Sequence, residues 1–335
     1  MPDFVYPPKR FRPSIWSYPL HLFLFLVTLF TTTWAGAEWA GKSMVITADG
    51  DAFMLFMKAG LPYSVSLLGF LTVHEFGHFF AAMHHRLRAT LPYYIPIPPF
   101  PDFLNLGTMG AVIRIKEPIS STRILFDTGS AGPLAGFAVA LGLLVYGFLI
   151  LPPASYAVAS ATLSPQPGTL IFGKNLLFIL LESVFSAKAM PPMTELYQHP
   201  MLFTGWLACF VTALNLLPVG QLDGGHIIYA MFGDDWHHKI ANGFLIAIII
   251  LGAPSFIFEL TSALWPSLTL PVPEAVLRHS WPGWIVWAFI LKQFIGTRHP
   301  AVPIRQRLSP GRTIAGWICI VLFVLTFTPM PFDIL

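Results

Sequence analysis

Residues 61–83, LPYSVSLLGFLTVHEFGHFFAAM, form an apolar segment of 23 residues that nonetheless carries His74, Glu75 and His78. A helix of that length crosses the roughly 30 Å hydrocarbon core of a bilayer. An ionisable side chain at such depth costs about 2.5–3.5 kcal/mol on insertion scales, so something must compensate for three of them. The spacing indicates what. Positions i and i+4 share one helix face about 5–6 Å apart, so His74 and His78 can both turn a ring nitrogen toward one ion, with Glu75 beside them. H-E-x-x-H is the arrangement in which two histidines bind zinc and the glutamate polarises the water on it. A satisfied polar cluster between packed helices is the competing reading of the same residues.

The rest of the chain is built for a membrane. Hydrophobic residues make up 55% of it and charged residues 10%, and apolar stretches near span length recur throughout. The expected fold class is an all-α polytopic membrane protein with about seven transmembrane helices, and no nucleic-acid partner is expected. The spans fall at about 18–36, 61–83, 130–151, from 201 onward, 240–258, 281–297 and 313–329. Residues 51–60 are too short to cross and read as an interfacial helix. The segment 169–187, interrupted by Lys174, Asn175 and Glu182, reads as amphipathic and lying on the outer surface; if it crossed instead, the following span would invert. With the first reading, 14 of the 19 Lys and Arg lie on the inner side and 5 on the outer, as the positive-inside rule requires. The N-terminus, with Lys9, Arg10 and Arg12, is then cytoplasmic, and a bacterial inner membrane is the expected location. The first span shows no clear cleavage site for a signal peptidase. Cys209 and Cys319 both sit in apolar segments, which leaves no disulfide framework and no cysteine zinc cluster.

A catalytic zinc keeps three protein ligands and one open position, so two histidines need a partner. The fourth span, GWLACFVTALNLLPVGQLDGGHIIYAMF, is too long for one crossing and is broken by Pro218, Gly220, Gly224 and Gly225. Broken helices at membrane depth survive only where protein buries them or where they line a cavity. Asp223 lies in that break, at the depth of the histidines; it reads as the third ligand, or as a helix cap or structural hydrogen bond at the break. Ahead of span 3, the proline-dense 91–102 excludes helix, and LGTMGAVIRI (106–115) suggests a short hairpin. Gly107, Thr108, Met109 and Gly110 are the candidate substrate-binding residues, since a strand there could pair with an extended peptide and the glycines permit close backbone approach; an ordinary cytoplasmic hairpin is the other reading of the same residues. Gly132 and Gly136, in SAGPLAG, lie four apart and let a neighbouring helix come close.

HEFGH (74–78) followed by NLLPVGQLDGG (215–225), with AGPLAG between them, resembles the site-2 protease family of intramembrane zinc metalloproteases. The resemblance covers about residues 61–232. It implies that His74, His78 and Asp223 bind one Zn2+ per chain, that Glu75 is the general acid/base, and that Asn215 faces the scissile carbonyl. A helix–helix hydrogen bond is the other reading of Asn215. The implied partners are a transmembrane-protein substrate and the lipid bilayer, with the oligomeric state open, and the hairpin looks like the membrane-associated one of the family. The longest non-spanning stretches, 45 and 49 residues at 85–129 and 152–200, fall below a typical domain of about 100, so the chain looks like the branch without a PDZ domain. Three regions are expected: an N-terminal tail, first span and interfacial segment (1–60), a catalytic core (61–232), and C-terminal helices (233–335). The rival reading is a transporter of zinc or another divalent metal; it needs a path of successive weak sites, whereas acidic residues and histidines concentrate in spans 2 and 4.

Overall fold

In the computed structural model, which describes residues 17–42, 50–98, 105–153, 168–268 and 270–334, apolar helices make up most of the chain. Their order is α1 (Ser17–Trp39), α2 (Gly50–His84), β1 (Tyr93–Pro96), β2 (Thr108–Val112), α3 (Thr122–Ile150), β3 (Leu170–Phe172) and α4 (Leu176–Val184). There follow α5 (Pro200–Asn215), α6 (Asp223–Phe232), α7 (Asp234–Leu264), α8 (Glu274–Leu277), α9 (Gly283–Ile290), α10 (Pro310–Thr326) and β4 (Phe332–Ile334). Local chemistry sets several boundaries. Ser121 and Asn175 accept the N–H groups of Ile124 and Phe178 at the starts of α3 and α4, and Pro200 and Pro310 open α5 and α10 where no N–H partner is needed.

Four helices, α1, α2, α3 and α7, are long and apolar enough to cross a membrane; α5, α10 and α9 with its π-helical continuation Leu291–Ile295 are apolar but shorter. The coarser expectation of a mostly helical membrane protein is met, while among the described residues four helices rather than seven meet the length of a crossing. Residues 51–60 are not a separate interfacial helix. They begin the 35-residue α2, which runs through Pro62 without ending. The segment 169–187 forms β3 and the nine-residue α4, about 14 Å of helix and far short of a crossing. The break in span 4 is where it was expected, between α5 and α6. Lys9, Arg10, Arg12, Pro99 and Pro101 lie outside the described residues.

Close packing holds α1, α2, α3 and α5 together. A Cβ on Gly60 of α2 would lie 1.8 Å from the Thr33 carbonyl oxygen of α1, and only a glycine allows that approach. Thr32 and Ser64 share a hydrogen bond at 2.6 Å, and Ser66 donates to Thr204 at 2.9 Å. Tyr63, Phe148, Phe172, Phe203 and Trp206 are all buried in one apolar cluster. The hairpin pairs Tyr93 with Val112 and Tyr94 with Ala111 before its register shifts. It is fixed to α1 by Thr31 Oγ1 donating to the Gly107 carbonyl (2.7 Å) and to α2 by Thr72 and the Tyr94 hydroxyl (2.7 Å). A second small sheet pairs β3 with β4, bringing Phe332 onto Phe172.

Candidate metal centre

The two halves of the site reach each other because α2 and α6 both pack on α3. Gly77 of α2 lies against the backbone of Ala131 and Gly132, where a Cβ would be 2.6 Å from the Ala131 carbonyl oxygen. On the other flank, Gly129 of α3 leaves room for the His226 side chain of α6. Gly224 and Gly225 tuck the start of α6 against the carbonyls of Leu216 and Gly220. Leu222 occupies the cap position and no side chain caps the helix. The carboxylate of Asp223 turns instead to the histidines.

His74 Nε2 and His78 Nε2 stand 3.1 Å apart, and Asp223 Oδ2 lies 3.6 Å from the first and 3.3 Å from the second. These edges match a tetrahedral site, in which ligand bonds of about 2.0–2.1 Å give edges of about 3.3 Å. The donor set of two imidazole nitrogens and one carboxylate oxygen also suits zinc. His78 Nδ1 faces the Thr128 carbonyl oxygen at 2.7 Å. A carbonyl only accepts, so Nδ1 carries the proton and the Nε2 lone pair is free to bind a cation. His74 Nδ1 is buried without a hydrogen-bond partner. Among the described residues, these three form the one group of His, Cys, Asp or Glu able to hold a metal ion.

Glu75, in the same turn, lines the same cavity as the three. Its Oε2 accepts the backbone N–H of Ile113, just past β2, at 2.9 Å. Asn215, at the end of α5, brings Nδ2 to 3.3 Å from His74 Nε2. A cavity of about 430 Å3 opens over these groups, lined also by Met109, Gly110, Gln221 and His226. Of the four hairpin residues expected to face a substrate, Met109 and Gly110 line it. Gly107 and Thr108 do not: Gly107 has φ 76° and packs against Thr31 and Thr32 of α1, and the Thr108 hydroxyl donates back to Ile95 of β1 (2.9 Å).

Two features of the site were not read from the sequence in this form. Gly132 and Gly136 do allow close packing, but what they admit is the imidazole pair: a Cβ would lie 2.0 Å from His78 Nε2 at position 132 and 2.9 Å from His74 Nδ1 at position 136. His226 lines the cavity and pairs with a distant loop through His299 (Nδ1 to Nε2, 2.7 Å). The H-E-x-x-H motif on an apolar helix was itself the signal that the facing helix must carry small residues. The partner in the loop had no such signal.

Residues 62–253, more than half of the chain, match the model of the family described as peptidase family M50. The chain belongs to peptidase family M50, the site-2 protease family. Among its relatives is the probable zinc metalloprotease EGY1, chloroplastic, of Oryza sativa subsp. japonica. It is 30% identical over 257 residues, which cover 72% of this chain and 43% of that protein. EGY1 of Arabidopsis thaliana is 28% identical over 257 residues, with coverage of 72% and 45%. EGY2 of Oryza sativa subsp. indica is 27% identical over 313 residues, covering 92% of this chain and 49% of its own length. The chain thus spans under half the length of these M50 relatives. No solved structure matches.

Proposed function

We propose that this chain is an intramembrane zinc metalloprotease that hydrolyses a peptide bond within or near the transmembrane segment of a membrane-protein substrate. One observation carries the reading: two imidazoles from α2 and a carboxylate from the break before α6 converge with tetrahedral edges, with a second carboxylate next to them. His74, His78 and Asp223 would hold one zinc, which when bound supplies an acidified water and a Lewis acid for the carbonyl oxygen.

The chain's own residues then divide the work. Glu75, held by the Ile113 N–H, takes the proton from the attacking water and passes it to the leaving nitrogen. The Asn215 amide, beside His74, donates to the developing oxyanion, a contribution typically worth roughly 2.7–4 kcal/mol. Met109 and Gly110, on the cavity side of β2, offer backbone to an unwound substrate, whose peptide groups need new hydrogen-bond partners once it leaves the helix.

The protein is a membrane protein by its helices. The relatives' names assign those proteins to the chloroplast, a different setting from the bacterial inner membrane expected from the sequence. Co-expression with a single-span substrate tests the activity: Glu75→Gln abolishes cleavage while zinc content persists. Unchanged cleavage by that variant overturns the role of Glu75, and zinc flux into liposomes would favour the transporter reading.

A further inference from the structure

Two cavities that the hydrolytic reading leaves unused lie side by side on the rear of α6, and Phe232 lines both. The first, about 450 Å3, is mixed in lining but cationic, with Arg305, Gln306, Arg307, Thr313, Phe232 and Trp317 in its lining and no acidic side chain. Neither arginine has an acidic partner among the described residues; the acidic pair Asp234 and Asp235 opens α7 just past Gly233, outside the lining. The second, about 350 Å3, is apolar. Leu216, Ile227, Ile320, Phe323 and Val324 line it, together with Gly224 next to the carboxylate ligand.

The chemistry of the pair is that of one amphipathic, negatively charged ligand. Two unpaired guanidiniums with the Gln306 side-chain amide match a phosphodiester. An apolar cavity beyond them matches an acyl chain, and water gains nothing by entering it. The depth agrees. Trp317 and Trp236 are 53% and 60% exposed, and Lys239 sits over the Trp236 ring, as aromatic side chains do at a membrane interface. Arg305 and Arg307 lie just ahead of α10, and basic pockets between helices take anionic headgroups. We propose that an anionic phospholipid of the bilayer binds here, its phosphate on Arg305 and Arg307 and one acyl chain between α6 and α10. The chain would press against the back of the turn that carries Asp223. The proposal is independent of the hydrolytic reading and requires only that the protein sits in a membrane.

Native mass spectrometry of the full chain from mixed micelles of phosphatidylglycerol and phosphatidylcholine with identical acyl chains tests it. Wild type retains phosphatidylglycerol over phosphatidylcholine by about thirtyfold, roughly fivefold for each arginine. The double variant Arg305→Gln, Arg307→Gln loses that preference at unchanged melting temperature and elution volume. Val324→Trp, which fills the apolar arm, lowers retention of both lipids. Inorganic phosphate in excess leaves the wild-type lipid in place, because it cannot occupy that arm. Equal retention of the two lipids by wild type, a preference that survives in the double variant, or displacement by free phosphate overturns the proposal. The wild-type competition decides even if a variant fails to fold.

Discussion

Gly132 lies so close to the His78 imidazole that a Cβ at position 132 would come within 2.0 Å of Nε2. The helix opposite the H-E-x-x-H motif is therefore part of the candidate metal site even though it supplies none of the proposed ligands. Gly132→Ala should lower zinc affinity by at least the 10–100-fold typical of disturbed supporting residues. Helix propensity alone predicts the opposite direction, since Ala stabilises a helix over Gly by about 1 kcal/mol. Gly142→Ala, on the same helix with nothing within 4 Å of its Cβ, is the control and should leave zinc binding unchanged. Metal titration of the three proteins checks both.

Ile113→Pro removes the one backbone N–H seen to hold Glu75. A hydrogen bond to a charged group is worth about 1.5–3 kcal/mol, so kcat should fall by about ten- to a hundredfold with zinc content retained. Glu75→Gln should fall further. Equal activity of Ile113→Pro and wild type would mean that the hairpin does not position the carboxylate.

His299 contributes a pH dependence outside the spans. It is 8% exposed, its Nδ1 donates to the Pro300 carbonyl (2.7 Å), and burial holds its pKa below the usual range, with that hydrogen bond and then Asp234 opposing the shift in part. The imidazole is thus neutral when folded, while the unfolded chain takes up its proton below about pH 6.5. Below that pH the unfolded state binds more protons, so stability falls as the solution is acidified. His299→Gln should flatten the decline in melting temperature between about pH 7.5 and 5.5. The neighbouring His226 and His237 stay in place in that variant.

What the sequence made legible follows from how local each signal is. His74, Glu75 and His78 sit within one helical turn, and the helix break at Pro218 and Gly220 needs no partner to be read. The hairpin was also visible, because prolines and β-branched residues act where they stand. The contacts that crossed the fold were not. The Ile113 N–H on Glu75 and the His226–His299 pair join positions 38 and 73 residues apart, and nothing in either segment names the other. Gly107 shows the same limit: its backbone freedom was evident, but it serves packing on α1 rather than the cavity. Residues 51–60 read as a separate short helix, whereas α2 runs on through Pro62.

X-ray absorption at the zinc edge of the purified protein tests the meeting of α2 and α6 most directly. Wild type should bind one zinc with two imidazole nitrogens and carboxylate or water oxygens at about 2.0–2.1 Å. Asp223→Ala should lose an oxygen scatterer and most of the metal, and His74→Ala should lose one imidazole shell. A wild-type spectrum with no imidazole shells, or full zinc retained with unchanged shells in Asp223→Ala, would contradict the site.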